Sequence, residues 1–232
     1  RFPKSALVSG ADIVIQSMHK TLPSFTQTAL IHMKKGYADI GRIKEYIGYY
    51  QTSSPSYLFM AGMDECIATL EKEGSHLWDA FFEMREEFLQ KMATLENIRI
   101  LKGNDPCKLV ISVKGTTTTG ADLQKVLLEK YHIQLEMAAE TYALGIITMC
   151  DTQEGFDRLA QALLEMDAEL SGTEERTAVS VSYVTGYPEE DIVYTLAEVR
   201  EKDTQEVLTK DAEGRICADY VNLYPPGIPL IL

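Results

Sequence analysis

Between residues 67 and 92 apolar side chains return at intervals of three and four. Ile67, Leu70, Gly74, Leu77, Trp78, Phe81, Met84, Phe88 and Met92 make one stripe, and the charged residues between them fall mainly on the opposite face. That period is the signature of a long amphipathic helix. Such a stripe is read as core packing, so Trp78 and Phe81 receive no functional role. Upstream the pattern shortens. Ala11–Ile15 is a strand-like apolar run that ends at the polar pair Gln16-Ser17, and a second β-prone run extends from Thr28 to Met33, stopping at Lys34-Lys35-Gly36. Two short strands bracketing a loop with Ser17, His19 and Lys20 follow from this. Such a loop sits where a sheet edge presents side chains to a ligand. Arg42 to Tyr50 predicts a helix, broken by Thr52-Ser53-Ser54-Pro55-Ser56 because proline cannot continue the hydrogen-bond ladder.

After Gly103-Asn104-Asp105-Pro106 the pattern changes. Lys108–Lys114 predicts a strand, and Gly120–Tyr131 a helix with Leu123, Val126 and Leu127 on one side. Ile133–Met137 and Leu144–Met149 predict two further strands. Asp151 or Thr152 caps a helix running to about Leu170. Strand, helix, two strands and helix make a compact α+β layer. From Gly172 the chain is charged and irregular, with a helical stretch near Asp191–Val199. Its end, Tyr224-Pro225-Pro226-Gly227-Ile228-Pro229, favours extended backbone.

Composition narrows the classes of partner. The formal net charge of −13 repels phosphate backbones, which excludes nucleic acid, and it disfavours anionic lipid. A mild attraction for cationic small molecules follows, although most of the carboxylates are a solvated surface. With 45% hydrophobic and 25% charged residues the balance is globular. Cys66, Cys107, Cys150 and Cys217 lie far apart without a C-x-x-C pair, so they read as reduced thiols of a cytoplasmic protein. The four histidines are scattered and suggest no metal site. No apolar run approaches the ~18–20 residues that cross a bilayer. The first residues, RFPKSALVSG, lack both the apolar core of a signal peptide and an initiator methionine, and are expected to be a cut into a longer chain.

Ser17-Met18-His19-Lys20 is the most informative stretch. A lysine amine that attacks a carbonyl must first lose its proton, which calls for a partly desolvated place. The hydroxyl three residues earlier could bind an anionic phosphate, and the His19 imidazole could do the same or position a ring. Spacing leaves this open, since any exposed serine and lysine would share it. The longer segment GADIVIQSMHKTLPSFTQTALIH, however, strongly resembles the cofactor-lysine segment of the ornithine/lysine/arginine decarboxylase family, which has the fold of aspartate aminotransferase. In that family a strand with Gly-Ala-Asp leads into Ser-x-His-Lys, and a glutamine follows, here Gln27. Ser53-Ser54-Pro55-Ser56-Tyr57 resembles the family's Ser-Ser-Pro-Ser-Tyr loop. The Tyr224–Pro229 segment resembles its Tyr-Pro-Pro-Gly-Ile-Pro end, and Gly214-Arg215-Ile216 matches a Gly-Arg-Ile just before it. The three motifs stand in the family's order over most of the chain.

The resemblance implies an α/β (mixed α+β) fold in four parts. Residues 1–62 would be the C-terminal part of a large domain that binds pyridoxal 5'-phosphate (PLP), 63–103 a linking helix, 104–171 an α+β small domain and 172–232 a C-terminal segment. Lys20 would hold PLP covalently, with Ser17 and His19 at the phosphate or its surroundings. Ser53 and Ser54 would lie near a dimer interface and help bind the cofactor, or form an ordinary turn before a helix. Glu136 falls where family members carry a glutamate, and could receive a substrate's distal cation or pair with a local base. The implied activity is decarboxylation of arginine, lysine or ornithine to the amine and carbon dioxide, in a cytoplasmic homodimer or larger oligomer serving polyamine biosynthesis. The family's site also needs an aspartate at the pyridine nitrogen and a histidine on the ring, from an Asp-x-Ala-His segment expected just before Arg1. The chain by itself is therefore expected to bind PLP weakly and turn nothing over. An aminotransferase or lyase of the same fold, or a non-catalytic paralogue, are the competing readings.

Overall fold

The computed structural model describes residues 2–36, 39–51, 53–170, 193–218, 221–223 and 228–231. The chain divides into two units, Arg1–Arg176 and Thr177–Leu232.

The first unit opens with an antiparallel pair, β1 (Ile13–Ser17) and β2 (Ala29–Met33), in register from Ile13 opposite Met33 to Ser17 opposite Ala29. Helix α1 (Ile40–Tyr50) starts at Asp39, whose carboxylate accepts the Arg42 N–H. Helix α2 runs from Tyr57 to Met92, 36 residues, a rod of about 54 Å at 1.5 Å per residue. It begins ten residues before the periodic stripe because Ser56 caps it, accepting the Phe59 N–H. That first part is mostly exposed and has no stripe for a pattern to detect.

A four-stranded antiparallel sheet follows, made of β3 (Arg99–Leu101), β4 (Lys108–Ser112), β5 (Met137–Ala138) and β6 (Tyr142–Ile146) in the spatial order β3-β4-β6-β5. Alternation in β4 sends Leu109 and Ile111 inward. They meet Phe81 and Phe88 of α2, Leu123 and Leu127 of α3 (Gly120–Tyr131), and Leu163 of α4 (Gln153–Leu170) in one core. Two expected strands are displaced. Ile133–Met137 contributes only Met137 to β5, because Leu135 turns into the core and the chain pairs late, from the Glu136 N–H to the Leu144 carbonyl. The next strand sits two residues upstream of expectation. β3, three residues long, gave no legible period.

Two close contacts lock this unit. The Asp167 carboxylate, 6% exposed, accepts the backbone N–H groups of Glu96, Asn97 and Ile98 at 2.9, 2.8 and 2.6 Å, and the Asn97 side-chain amide donates to the Asp167 carbonyl at 3.2 Å. A buried carboxylate is tolerated when charge-assisted bonds replace its water; here it pins the turn after α2 to α4. Gly120 starts α3 where a Cβ would run into the carbonyls of Ala139 and Tyr142, so only glycine fits.

Large apolar side chains are exposed mainly among the described residues up to position 67, with Val8 at 70%, Ile15 at 75% and Leu58 at 65%. Between 68 and 170 only Leu101, Leu128 and Leu164 stand out in this way. The Phe25 ring fills the space over Gly62, where a Cβ would overlap it. This packs the loop between β1 and β2 onto the start of α2. In the described residues no helix is long and apolar enough to cross a membrane.

In the second unit, the short helix α5 (Leu196–Arg200) carries a capping box between Thr195 and Glu198. β7 (Val221–Leu223) pairs antiparallel with β8 (Ile228–Ile231). The helical stretch expected near Asp191–Val199 is thus seen only at its end, residues 191–192 lying outside the described residues. So do Tyr224–Gly227 of the proline-rich motif.

Asp167→Asn is expected to lower the unfolding free energy by about 3 kcal/mol in a urea titration, because one of the acceptor oxygens becomes a donor facing N–H groups. Gly62→Ala, which in an open helix would stabilise by about 1 kcal/mol, should destabilise the chain and become stabilising in a Phe25→Ala background. Lys91 Nζ, 2.6 Å from Asp157, holds that carboxyl below its ordinary value, with Gln153 adding a second bond. A depressed folded pKa gives stability that is present above the unfolded value and lost as pH falls through the folded one. The thermal midpoint should therefore drop as pH falls below about 4, and less steeply in Asp157→Asn.

Candidate functional site

The site predicted from sequence lies where β1 gives way to a loop. The strand ladder ends at Ser17, and one further bond, from the Met18 N–H to the Thr28 carbonyl at 3.0 Å, closes the loop at its neck. The chain then turns through a short 3₁₀ helix, Met18–Lys20. Its anchor is Met18, 2% exposed, whose carbonyl accepts the Leu22 N–H at 3.0 Å. Burial of Met18 on the inner side leaves Lys20 at the outer end of the turn.

Lys20 is exposed, and no carboxylate lies within ion-pair distance of it among the described residues. The sheltered place that an uncharged amine needs is therefore not supplied by the described residues. The turn fixes where the amine stands, and the shelter is a separate matter. Ser17 and His19 are half-buried beside it. His19 Nδ1 is 2.9 Å from the Thr28 carbonyl. A carbonyl can only accept, so Nδ1 carries the proton, and Nε2 is an acceptor in the neutral ring and a donor only in the imidazolium.

The loop returns through Phe25, whose ring packs on Gly62 and lies 6.5 Å from that of Phe59. Pro23, Ser24 and Phe25 of the loop and Leu58, Ala61, Gly62 and Glu65 of α2 line an open, mainly apolar cavity of about 480 Å³. The exposed Ser53 and Ser54 occupy the bend just before α2, so this packing sets the loop against the helix that they lead into. Glu136 is exposed immediately before β5, its backbone N–H bonded to the Leu144 carbonyl at 2.9 Å, and no contact among the described residues joins it to Lys20.

Two residues went unmarked in the sequence. Thr28 is 2% exposed and bonded on every side, although a threonine at the start of a strand carries no signal of that. His32, opposite Val14 in β2, has its Nε2 buried without a hydrogen-bond partner, which is uncommon for a buried polar atom.

An accessible amine on a backbone-anchored turn, with a hydroxyl and an imidazole beside it, is an arrangement able to capture a carbonyl compound that also bears an anionic group. Residues 2–104 match the family described as Orn/Lys/Arg decarboxylase, major domain. The arginine decarboxylase of Bacillus subtilis (strain 168) is 32% identical over 99% of this chain and 49% of its own length. Among solved structures, the lysine decarboxylase of Francisella novicida superposes with a TM-score of 0.58 at 19% identity, over 67% of this chain and 28% of that one. The alanine–glyoxylate aminotransferase of a Nostoc species does so with a TM-score of 0.51 at 15% identity, over 68% of this chain and 48% of that one. At such identities the structural likeness speaks for the α/β fold alone. The chain spans about half the length of the curated relatives it matches, and its residues 2–104 are similar to the major domain of the Orn/Lys/Arg decarboxylases.

Proposed function

We propose that this chain is the lysine-bearing part of a PLP-dependent decarboxylase that converts a basic amino acid to its amine and carbon dioxide. The observation that carries the reading is Lys20, presented at the outer end of a turn that backbone bonds and a buried methionine hold in place. The family match over residues 2–104 and the arginine decarboxylases matched over nearly the whole chain support it, and they favour arginine over lysine and ornithine.

The residues present fit the cofactor. Lys20 offers an amine, Ser17 a hydroxyl, and His19 a ring with one nitrogen uncommitted. When bound, PLP supplies an electron sink for the pair left behind as the carboxylate departs. The chain's own residues do the rest. Lys20 Nζ holds the cofactor, and must give up a proton to do so. The Ser17 hydroxyl donates to phosphate. His19 reaches phosphate through Nε2 only as the imidazolium, whereas packing on the ring asks for no proton. Ser53 and Ser54 complete the phosphate's surroundings, in a homodimer where the bend before α2 meets the neighbouring subunit. Glu136 receives the substrate's distal cation.

The reading also accounts for the exposed apolar residues of the first 67 positions. They are the faces on which the remainder of the major domain packs, and burying them would provide the shelter that Lys20 lacks. The linking helix, small domain and C-terminal segment then keep the roles expected of residues 63–103, 104–171 and 172–232, in a cytoplasmic enzyme of polyamine biosynthesis.

In the full-length protein, borohydride reduction with PLP followed by peptide mass spectrometry should place the cofactor on Lys20, and labelled arginine should release carbon dioxide. Lys20→Ala should abolish both. Keto acid without carbon dioxide would instead support the aminotransferase reading, and attachment at another lysine would remove the basis of the proposal. Ser17→Ala should weaken PLP binding about tenfold, the effect of losing one hydrogen bond to a charged group.

A further inference from the structure

Thr28 is a polar residue almost wholly withdrawn from solvent, at the point where the loop bearing Lys20 re-enters the sheet. Its carbonyl oxygen accepts two bonds, from the Met18 N–H at 3.0 Å and from His19 Nδ1 at 2.9 Å. Both donors belong to the turn that ends in Lys20. Its hydroxyl donates to the Phe25 carbonyl at 2.7 Å, which commits the single hydroxyl proton, so that Ser24, at 2.9 Å, must be the donor to Thr28. Gln27, immediately before, has a φ of 64°, a left-handed conformation uncommon outside glycine. The chain reverses there and enters β2 with the Thr28 carbonyl facing the turn.

We infer that Thr28 is a positioning residue for this site: its carbonyl fixes the His19 proton on Nδ1 and holds the turn that presents Lys20, while its hydroxyl anchors that carbonyl to Ser24 and Phe25. The inference rests on the proposed roles of Lys20 and His19 and adds a residue to them. Its physical basis is tautomer selection. A neutral imidazole can carry its proton on either nitrogen, and the bond made by one nitrogen decides what the other offers. With Nδ1 held by a carbonyl, Nε2 is the nitrogen left for a ligand. If the carbonyl swings away, both tautomers become accessible and the ring can turn. The backbone oxygen cannot be removed by substitution, but the hydroxyl that anchors it can. Thr28→Val keeps the volume and removes the hydroxyl, leaving the Phe25 carbonyl and the Ser24 hydroxyl without that partner; Thr28→Ser restores it.

The test uses the full-length protein with ¹⁵N-labelled histidine. NMR should find His19 protonated on Nδ1 in the wild type and in Thr28→Ser. In Thr28→Val the share of the Nε2-protonated tautomer should rise at least about tenfold, the equivalent of one lost hydrogen bond. The amount of PLP trapped on Lys20 by borohydride should fall in Thr28→Val and recover in Thr28→Ser. Should Thr28→Val fail to fold, Ser24→Ala removes one bond to the same hydroxyl, and should shift the tautomer ratio in the same direction by a smaller factor. A loss of thermal stability with the tautomer ratio unchanged in the folded variant would overturn the inference and leave Thr28 a packing residue. The NMR result needs no cofactor, so a wild type that shows the expected tautomer yet takes no PLP on Lys20 would count against the proposed function alone.

Discussion

One continuous helix governs the geometry of the first unit. The 36 residues of α2 carry Phe81 and Phe88 into the α+β core at one end, and at the other leave Gly62 bare beneath the Phe25 ring. A helix propagates its orientation because each added residue is held by a bond to the turn before it. The loop that bears Lys20 is thereby referred to a core many residues away in sequence. Glycine is the residue that permits this close approach, since any side chain at position 62 would occupy the volume of the ring. At the C-terminal end the Asp167 carboxylate gathers three backbone N–H groups of the turn leaving α2, so the helix is tied down at both ends by contacts made between distant parts of the chain.

The two parts of this unit differ in how they satisfy their own surfaces. From residue 68 to 170 the apolar stripes of three helices and the inward face of the sheet close on one another, leaving few large apolar side chains in water. The preceding residues do the reverse. Their strands make a two-stranded sheet, and such a pair has little apolar area to bury by itself. Around Lys20, order comes instead from hydrogen bonds: a neck bond from Met18, a ring bond from His19 and a hydroxyl bridge through Thr28. A loop held in that way can keep an amine in a defined place without burying it, and its environment is then open to change by whatever packs over it.

That separation bears on the chemistry proposed for the site. Position and reactivity of a lysine amine have different physical origins: bonds to the backbone set the first, and desolvation sets much of the second. The described residues provide position. They also set what His19 can offer, since Nδ1 is already committed.

The sequence by itself determined a good deal. The apolar period of α2 from Ile67 onward, the limits of α3 and most of α4 were legible because a helix repeats its partners every three or four residues within a single segment. The order of three motifs pointed to the family, which the match over residues 2–104 bears out. Strand limits were less legible: Leu135 reads as part of a strand, yet turns inward, and three residues of β3 are too few for a period. Only the tertiary structure decided the features that depend on groups distant in sequence. Asp167 reads as one more acid on an amphipathic helix until three N–H groups from residues 96–98 converge on it, and Thr28 reads as the first residue of a strand until Met18 and His19 bond its carbonyl. The exposure of Lys20 belongs to the same class, because burial is a property of what packs around a residue, and no spacing along the chain encodes it.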